Sequence, residues 1–193
     1  MSGAGFHLDL HRCVGCGACV LACRIENGRA DGSAWRRVLP LNLARRPGGP
    51  TYFLSVACHH CERPACLSGC PSGAYEKRAD GVVLHREDRC IGCRYCEMTC
   101  PFGTPQFDVD RGVVSKCHLC ARRLDRGLDP ACAAACPMAA LRYTAPGEVG
   151  DDHRRLVPGF VDPAGCDPNL TFAVPGGLRR ARLFRVLEEA LKR

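Results

Sequence analysis

The stretch "CIGCRYCEMTCP", residues 90–101, sets four cysteines within eleven positions and closes on a proline. Three other stretches repeat the theme: "CVGCGACVLAC" from Cys13, "CHHCERPACLSGCP" from Cys58 and "CHLCARRLDRGLDPACAAACP" from Cys117. Of the 17 cysteines, only Cys166 stands outside these four runs. Run one is Cys13, Cys16, Cys19 and Cys23; run two is Cys58, Cys61, Cys66 and Cys70. Run three is Cys90, Cys93, Cys96 and Cys100; run four is Cys117, Cys120, Cys132 and Cys136. Runs one and three have the ferredoxin spacing C-x2-C-x2-C-x3-C, run two carries an x4 insertion and run four an x11 insertion. Cys70, Cys100 and Cys136 precede prolines, whereas Cys23 precedes Arg24.

The spacing has a chemical reason. Three thiolates two residues apart on one loop each reach a different iron of a cubane, while the fourth points away to the other cluster of a pair. On this reading the fourth cysteine comes where the chain enters a short helix. Gly15, Gly17 and Gly92 let the backbone approach closely. Their neighbours leave amide N–H groups for the sulfurs, which helps set the potential. Zinc fits less well, because tetrahedral sites use two well-separated C-x2-C pairs. Neighbouring thiols at this spacing also pair poorly as disulfides. His59, His60 and His118 sit inside the runs but are not needed as ligands; they read as residues beside the clusters or solvated. Cys166, in "DPAGCDPN", reads as a structural thiol.

Composition agrees. The share of cysteine lies in the range where thiols define architecture. With cysteine set aside, the apolar share drops from 46% to about 37%, thin for an ordinary core at this length. Clusters solve that problem, since metal binding becomes folding energy, and the chain without them is expected to be largely unfolded. The N-terminus "MSGAGFHLDLHRC" lacks an apolar segment of the secretory type, and no stretch approaches the run of about 18 apolar residues of a membrane span. The net charge of +7 invites a nucleic-acid partner. However, four oxidised clusters would contribute about −8, so the basic excess balances them, and no nucleic acid is expected.

Between the runs the signals are short. Residues 36–43 and 51–57 read as strands, 44–50 as a loop, and 74–85 as a hairpin turning at Asp80–Gly81. Short helices are expected after the fourth cysteine of each run. The fold class is α+β: tandem ferredoxin-like modules, with short strands and helices, around four iron–sulfur clusters. Residues 1–143 form the four-cluster domain. Residues 144–177 read as an irregular Pro/Gly-rich arm lying on a partner, and 178–193 as an amphipathic helix.

The stretches "CVGCGACVLACRIEN", "CHHCERPACLSGCPSGA", "DGVVLHREDRCIGCRYCEMTCPFGTPQFD" and "KCHLCARRLDRGLDPACAAACPMAAL" cover most of residues 6–143. They resemble the four-cluster ferredoxin-type subunits of molybdopterin oxidoreductases of the dimethyl sulfoxide reductase superfamily. The x4 and x11 insertions make the likeness specific, and "CRIEN" is usual in that family. Sequence spacing alone also allows run one to pair with run two. The resemblance instead implies nested pairing, run one with run four and run two with run three. It implies four [4Fe–4S] clusters: Cys13, Cys16, Cys19 and Cys136; Cys23, Cys117, Cys120 and Cys132; Cys58, Cys61, Cys66 and Cys100; Cys70, Cys90, Cys93 and Cys96.

The function it implies is a non-catalytic relay. Single electrons would pass between a molybdopterin-containing catalytic subunit and an integral membrane quinone-handling anchor in anaerobic respiration. The chain would be peripheral to the membrane on its cytoplasmic side, with co-export beside a partner bearing a twin-arginine signal as the other route. The competing readings are a free polyferredoxin, against which the 144–193 extension argues, and a zinc-dependent interaction module.

Overall fold

The computed structural model describes residues 3–29, 34–40, 52–148 and 165–173. The chain opens with β1 (Gly5–Asp9) and enters α1 (Ala18–Glu26), at nine residues the longest described helix. The hairpin β2 (Arg37–Pro40) and β3 (Phe53–Val56) follows. Next come α2 (Ala65–Ser68), the hairpin β4 (Tyr75–Lys77) and β5 (Val83–His85), a 3-10 turn at Glu87–Arg89, and α3 (Tyr95–Thr99). A third hairpin, β6 (Gln106–Asp108) and β7 (Val113–Ser115), leads to α4 (Ala121–Leu124), α5 (Ala131–Ala134) and β8 (Leu141–Thr144). The last described strand is β9 (Leu170–Ala173).

Topology nests the second half inside the first. β1 is the middle strand of a three-stranded sheet, antiparallel to β8 (Leu8 opposite Leu141) and parallel to β9 (Phe6 opposite Leu170). Thus the start and end of the cysteine-rich segment lie side by side. α1 packs on α5, and α2 packs on α3. Alternation along β1 aims Phe6 and Leu8 into the main core with Leu54, Val82, Leu119, Leu141 and Phe172. His7 faces the other way and meets the Thr171 hydroxyl at 2.9 Å.

The strand and hairpin expectations fall close to β2, β3, β4 and β5, with residues 41–51 outside the described set. At the β4–β5 turn Gly81 has φ +89°, and a Cβ there would sit 2.6 Å from the Gly3 Cα. Two expectations are corrected. In runs two to four the helix does not follow the fourth cysteine but lies before it, with α2 carrying Cys66, α3 carrying Cys96 and α5 carrying Cys132, while in run one α1 carries Cys19 and runs through Cys23 to Glu26. The prolines after Cys70, Cys100 and Cys136 explain this. A residue before proline is pushed out of helical geometry, so these cysteines close helices rather than open them; Cys100 is the extended cap of α3. The segment 144–177 is not irregular throughout either, because β9 forms within it. Asn169 fastens that strand: its N–H donates to the His59 carbonyl at 3.0 Å and its amide to the His60 carbonyl at 2.8 Å. The expected helix over 178–193 lies outside the described residues.

Candidate iron–sulfur centres

No disulfide joins the 17 cysteines. They gather instead into four neighbourhoods. Cys13, Cys16, Cys19 and Cys136 line one pocket, walled by Leu8, Val14, Val38 and Leu141. Cys58, Cys61, Cys66 and Cys100 line a second, with His59, Phe102, Thr104 and Cys166. Cys117 and Cys120 each have Cys23 and Cys132 among their close electrostatic neighbours. Cys96 has Cys90 and Cys70, and these three pack with Cys66, Tyr75 and Val83. Cys93 is exposed on the same loop. Each gathering therefore draws thiols from two runs, one of them distant in sequence.

Contacts also link one gathering to the next. Cys19 neighbours Cys132. Cys117 neighbours Cys58, and both pack around Trp35. Cys66 neighbours Cys96. The four groups thus follow one another in a row, from the Cys13 group through the Cys117 and Cys58 groups to the Cys90 group. Exposed cysteines occur at its two ends, Cys16 and Cys93.

The donor chemistry suits a cubane. Among the described residues no group of three or more His, Cys, Asp or Glu is arranged to hold a metal ion. A cubane takes four thiolates, one on each iron, and each gathering offers thiols from two runs to share that task. Burial pushes the Cys117 and Cys61 thiols well up, Cys66 to about 12 and Cys120 to about 11. Neighbouring thiols add to the rise. Such groups become thiolates only when a metal's own charge displaces the proton. Cys70 differs: burial pushes it up, but the Ser72 hydroxyl and the amides of Ala74, Ser72 and Gly73 outweigh that and bring it below its ordinary value.

Several donors already face sulfur. The N–H groups of Ala74, Leu119, Val114 and Leu141 point at Cys70, Cys117, Cys90 and Cys136, at 3.4, 3.4, 3.5 and 3.5 Å. Hydroxyls of Ser55, Ser72 and Thr104 lie 3.4, 3.5 and 3.5 Å from Cys19, Cys70 and Cys100. Donors at sulfur favour the more negative, reduced state and so raise the potential of a bound cluster. Gly15 and Gly92 have φ +70° and +67°, yet the atoms a Cβ would meet belong to Phe53 and to the Gly112 carbonyl, at 2.5 and 2.4 Å. Their lack of a side chain admits protein as well as any cluster.

Of the histidines within the runs, His59 and His60 are buried and His118 is half-buried, and their surroundings favour the neutral form of all three. Desolvation, then the Arg36 charge, lowers His59 to about 3. His60 is lowered well below its usual value, chiefly by burial, and its Nδ1 accepts the Val83 N–H at 3.0 Å. Desolvation lowers His118 as well, and its ring stands edge-on to Trp35. Cys166 is 2% exposed and belongs to the wall of the Cys58 cavity. Residues that sequence reasoning missed are Ser55, Ser72, Thr104 and two buried cations, Arg36 and Lys116. Lys116 Nζ donates to the Val83 and Cys117 carbonyls and lies 5.9 Å from the centre of the Tyr75 ring. The only hint of Ser72 and Thr104 was their closeness to cysteine in "CPSG" and "CPFGT"; nothing local marked Ser55 or the cations.

Two family models match the chain: a 4Fe–4S dicluster domain over residues 50–145 and a 4Fe–4S binding domain over residues 6–26. The chain is 40% identical over 160 residues to one component of the anaerobic dimethyl sulfoxide reductase of Escherichia coli (strain K12), covering 79% of this chain and 78% of the relative. It is 38% identical over 138 residues to the thiosulfate reductase electron transfer subunit PhsB of Salmonella typhi, covering 70% and 72%. It is 37% identical over 166 residues to one component of the sulfite dehydrogenase of Allochromatium vinosum, covering 75% and 68%. Thiol gatherings drawn from paired runs and these likenesses converge: the chain belongs to the family of [4Fe–4S] electron-transfer subunits of dimethyl sulfoxide and thiosulfate reductases, non-catalytic members of oxidoreductase complexes.

Proposed function

We propose that the chain holds four [4Fe–4S] clusters in a row and relays single electrons between a molybdopterin-containing catalytic subunit and an integral membrane quinone-handling subunit. The ligand sets are Cys13, Cys16, Cys19 and Cys136; Cys23, Cys117, Cys120 and Cys132; Cys58, Cys61, Cys66 and Cys100; and Cys70, Cys90, Cys93 and Cys96. Each bound cluster supplies one-electron redox chemistry. The protein supplies spacing, a dry surround and donors at sulfur that set each potential.

One observation carries the reading. The thiol gatherings succeed one another through Cys19–Cys132, Cys117–Cys58 and Cys66–Cys96, and exposed cysteines lie at the two ends. A relay needs that layout, with a buried middle and two accessible termini. Apolar side chains rim the termini: Val14 beside Cys13 and Cys16, and Ile91, Tyr95 and Met98 beside Cys93, with Met98 79% exposed. Such groups on a protein surface suit docking of partner subunits. No described helix is long and apolar enough to cross a membrane, in keeping with a peripheral subunit carried by an anchor; the cytoplasmic face is the side we assign.

The test is iron content and spectroscopy on anaerobically purified complex. About sixteen irons per chain are expected, four for each cluster, with four reducible paramagnetic centres. Markedly fewer irons, or a colourless zinc protein, would overturn the reading. Cys166 offers a control. Cys166→Ser is expected to keep the full iron count and the four signals while weakening the packing by about 1 kcal/mol, as a mild buried substitution does. Loss of four irons in this variant would make Cys166 a ligand.

A further inference from the structure

Arg36 immediately precedes β2 and is 1% exposed, among the largest fully buried side chains of the protein. Among the described residues no carboxylate pairs with it; the ion pairs there belong to Arg63, Lys77, Arg78, Arg86, Arg94, Arg111 and Arg123. Its Nη1 donates to the Ser55 carbonyl at 3.3 Å and hydroxyl at 3.0 Å, and its carbon centre stacks 4.3 Å above the Phe6 ring. Nε and Nη2 are buried and make no aligned hydrogen bond. A guanidinium in that state is strongly destabilising unless something anionic faces it. Packing on Phe6 alone would be served equally well by an uncharged side chain.

Sulfur faces it. The thiols of Cys132, Cys117 and Cys19 adjoin the guanidinium, with Cys132 within hydrogen-bonding reach. Ser55 extends the contact: its hydroxyl accepts from Nη1 and lies 3.4 Å from the Cys19 sulfur, which leaves its own proton for that sulfur. The Arg36 backbone N–H serves Cys23. One side chain therefore adjoins thiols of both the Cys13 group and the Cys117 group.

We propose that Arg36 is the shared counter-cation of the first two clusters, giving its two unmatched donors to sulfurs of these groups and raising both reduction potentials. The inference rests on the ligand sets assigned above. Adding an electron to either cluster adds negative charge beside a fixed cation, so the reduced forms gain most.

The experiment is a redox titration, followed by electron paramagnetic resonance, of the purified complex with Arg36→Gln, Arg36→Lys and Ser55→Ala. Arg36→Gln is expected to lower two of the four midpoints and leave the other two in place. Arg36→Lys keeps the charge but not the planar fork, so the same two fall by less. Ser55→Ala lowers one midpoint, that of the Cys13 group. Four unmoved midpoints, or four moving together, overturn the inference. Where Arg36→Gln loses iron, Arg36→Lys decides by the same criterion. A wild-type complex with fewer than four clusters removes the ligand reading itself, before any variant is compared.

Discussion

Cys117→Ser breaks the relay in its middle. The side chain is 6% exposed and lies among Cys23 and Cys132 of its own group, beside Cys58 of the next. Burial already holds the thiol well above its ordinary range. A serine hydroxyl loses its proton with far more difficulty than a thiol, so the substituted position cannot supply the missing anionic ligand. About four of about sixteen irons should be lost, and the paramagnetic centres of the other groups should persist. Changes in residues that merely orient a ligand already cost 10–100-fold in metal affinity or activity, so removing a ligand at an interior position should slow quinol-driven turnover by more than about 100-fold. Turnover driven by a dye that feeds the catalytic subunit directly should stay near wild type. That contrast separates a broken relay from a damaged partner. A Cys117→Ser complex with full iron and full quinol-driven turnover would sink the proposed row.

Much of this was legible because cysteine spacing is local chemistry. The ferredoxin run at Cys90–Cys100 needs only its own eleven residues to be read, and the Asp80–Gly81 turn only two. What escaped depends on contacts far apart in sequence. β9 has four residues between Pro168 and Pro175, too few to show a period, and it exists because β1 offers an edge and Asn169 ties it to the loop at His59 and His60. Helix placement was misread because proline after a cysteine can signal either a beginning or an end; here the x3 spacing before Cys100 lies inside α3, and the proline stops it. Arg36 looked like one of many surface arginines. Only the folding of β2 onto β3, which sets it against Ser55 and Phe6, buries it among thiols from residues 19, 117 and 132.

Stripping the iron with a chelator under anaerobic conditions should unfold the chain. The described elements cannot stand alone: four of the five helices have four or five residues, and three of the four sheets are two-stranded hairpins. Isolated helices shorter than about 12 residues are marginal in water, and a lone hairpin is marginally stable at best. What joins them is a set of thiols from distant parts of the chain, such as Cys13 with Cys136 and Cys61 with Cys100. In the empty protein these thiols are desolvated and crowded, so the sites resist collapse into an ordinary core. A structural metal site contributes on the order of 10 kcal/mol of folding free energy, comparable to the whole net stability of a domain, about 5–15 kcal/mol. The four sites proposed above would together exceed it, leaving the fold no reserve once they are gone. Far-ultraviolet circular dichroism should lose most of its native signal on chelation, and no cooperative melting transition should remain. Rebuilding the clusters with iron and sulfide should restore both. An iron-free, colourless protein that keeps its spectrum and melts sharply would show that β1, β8, β9 and the apolar cluster around Phe6 and Leu8 hold the fold by themselves, and the clusters would then be guests in it rather than its core.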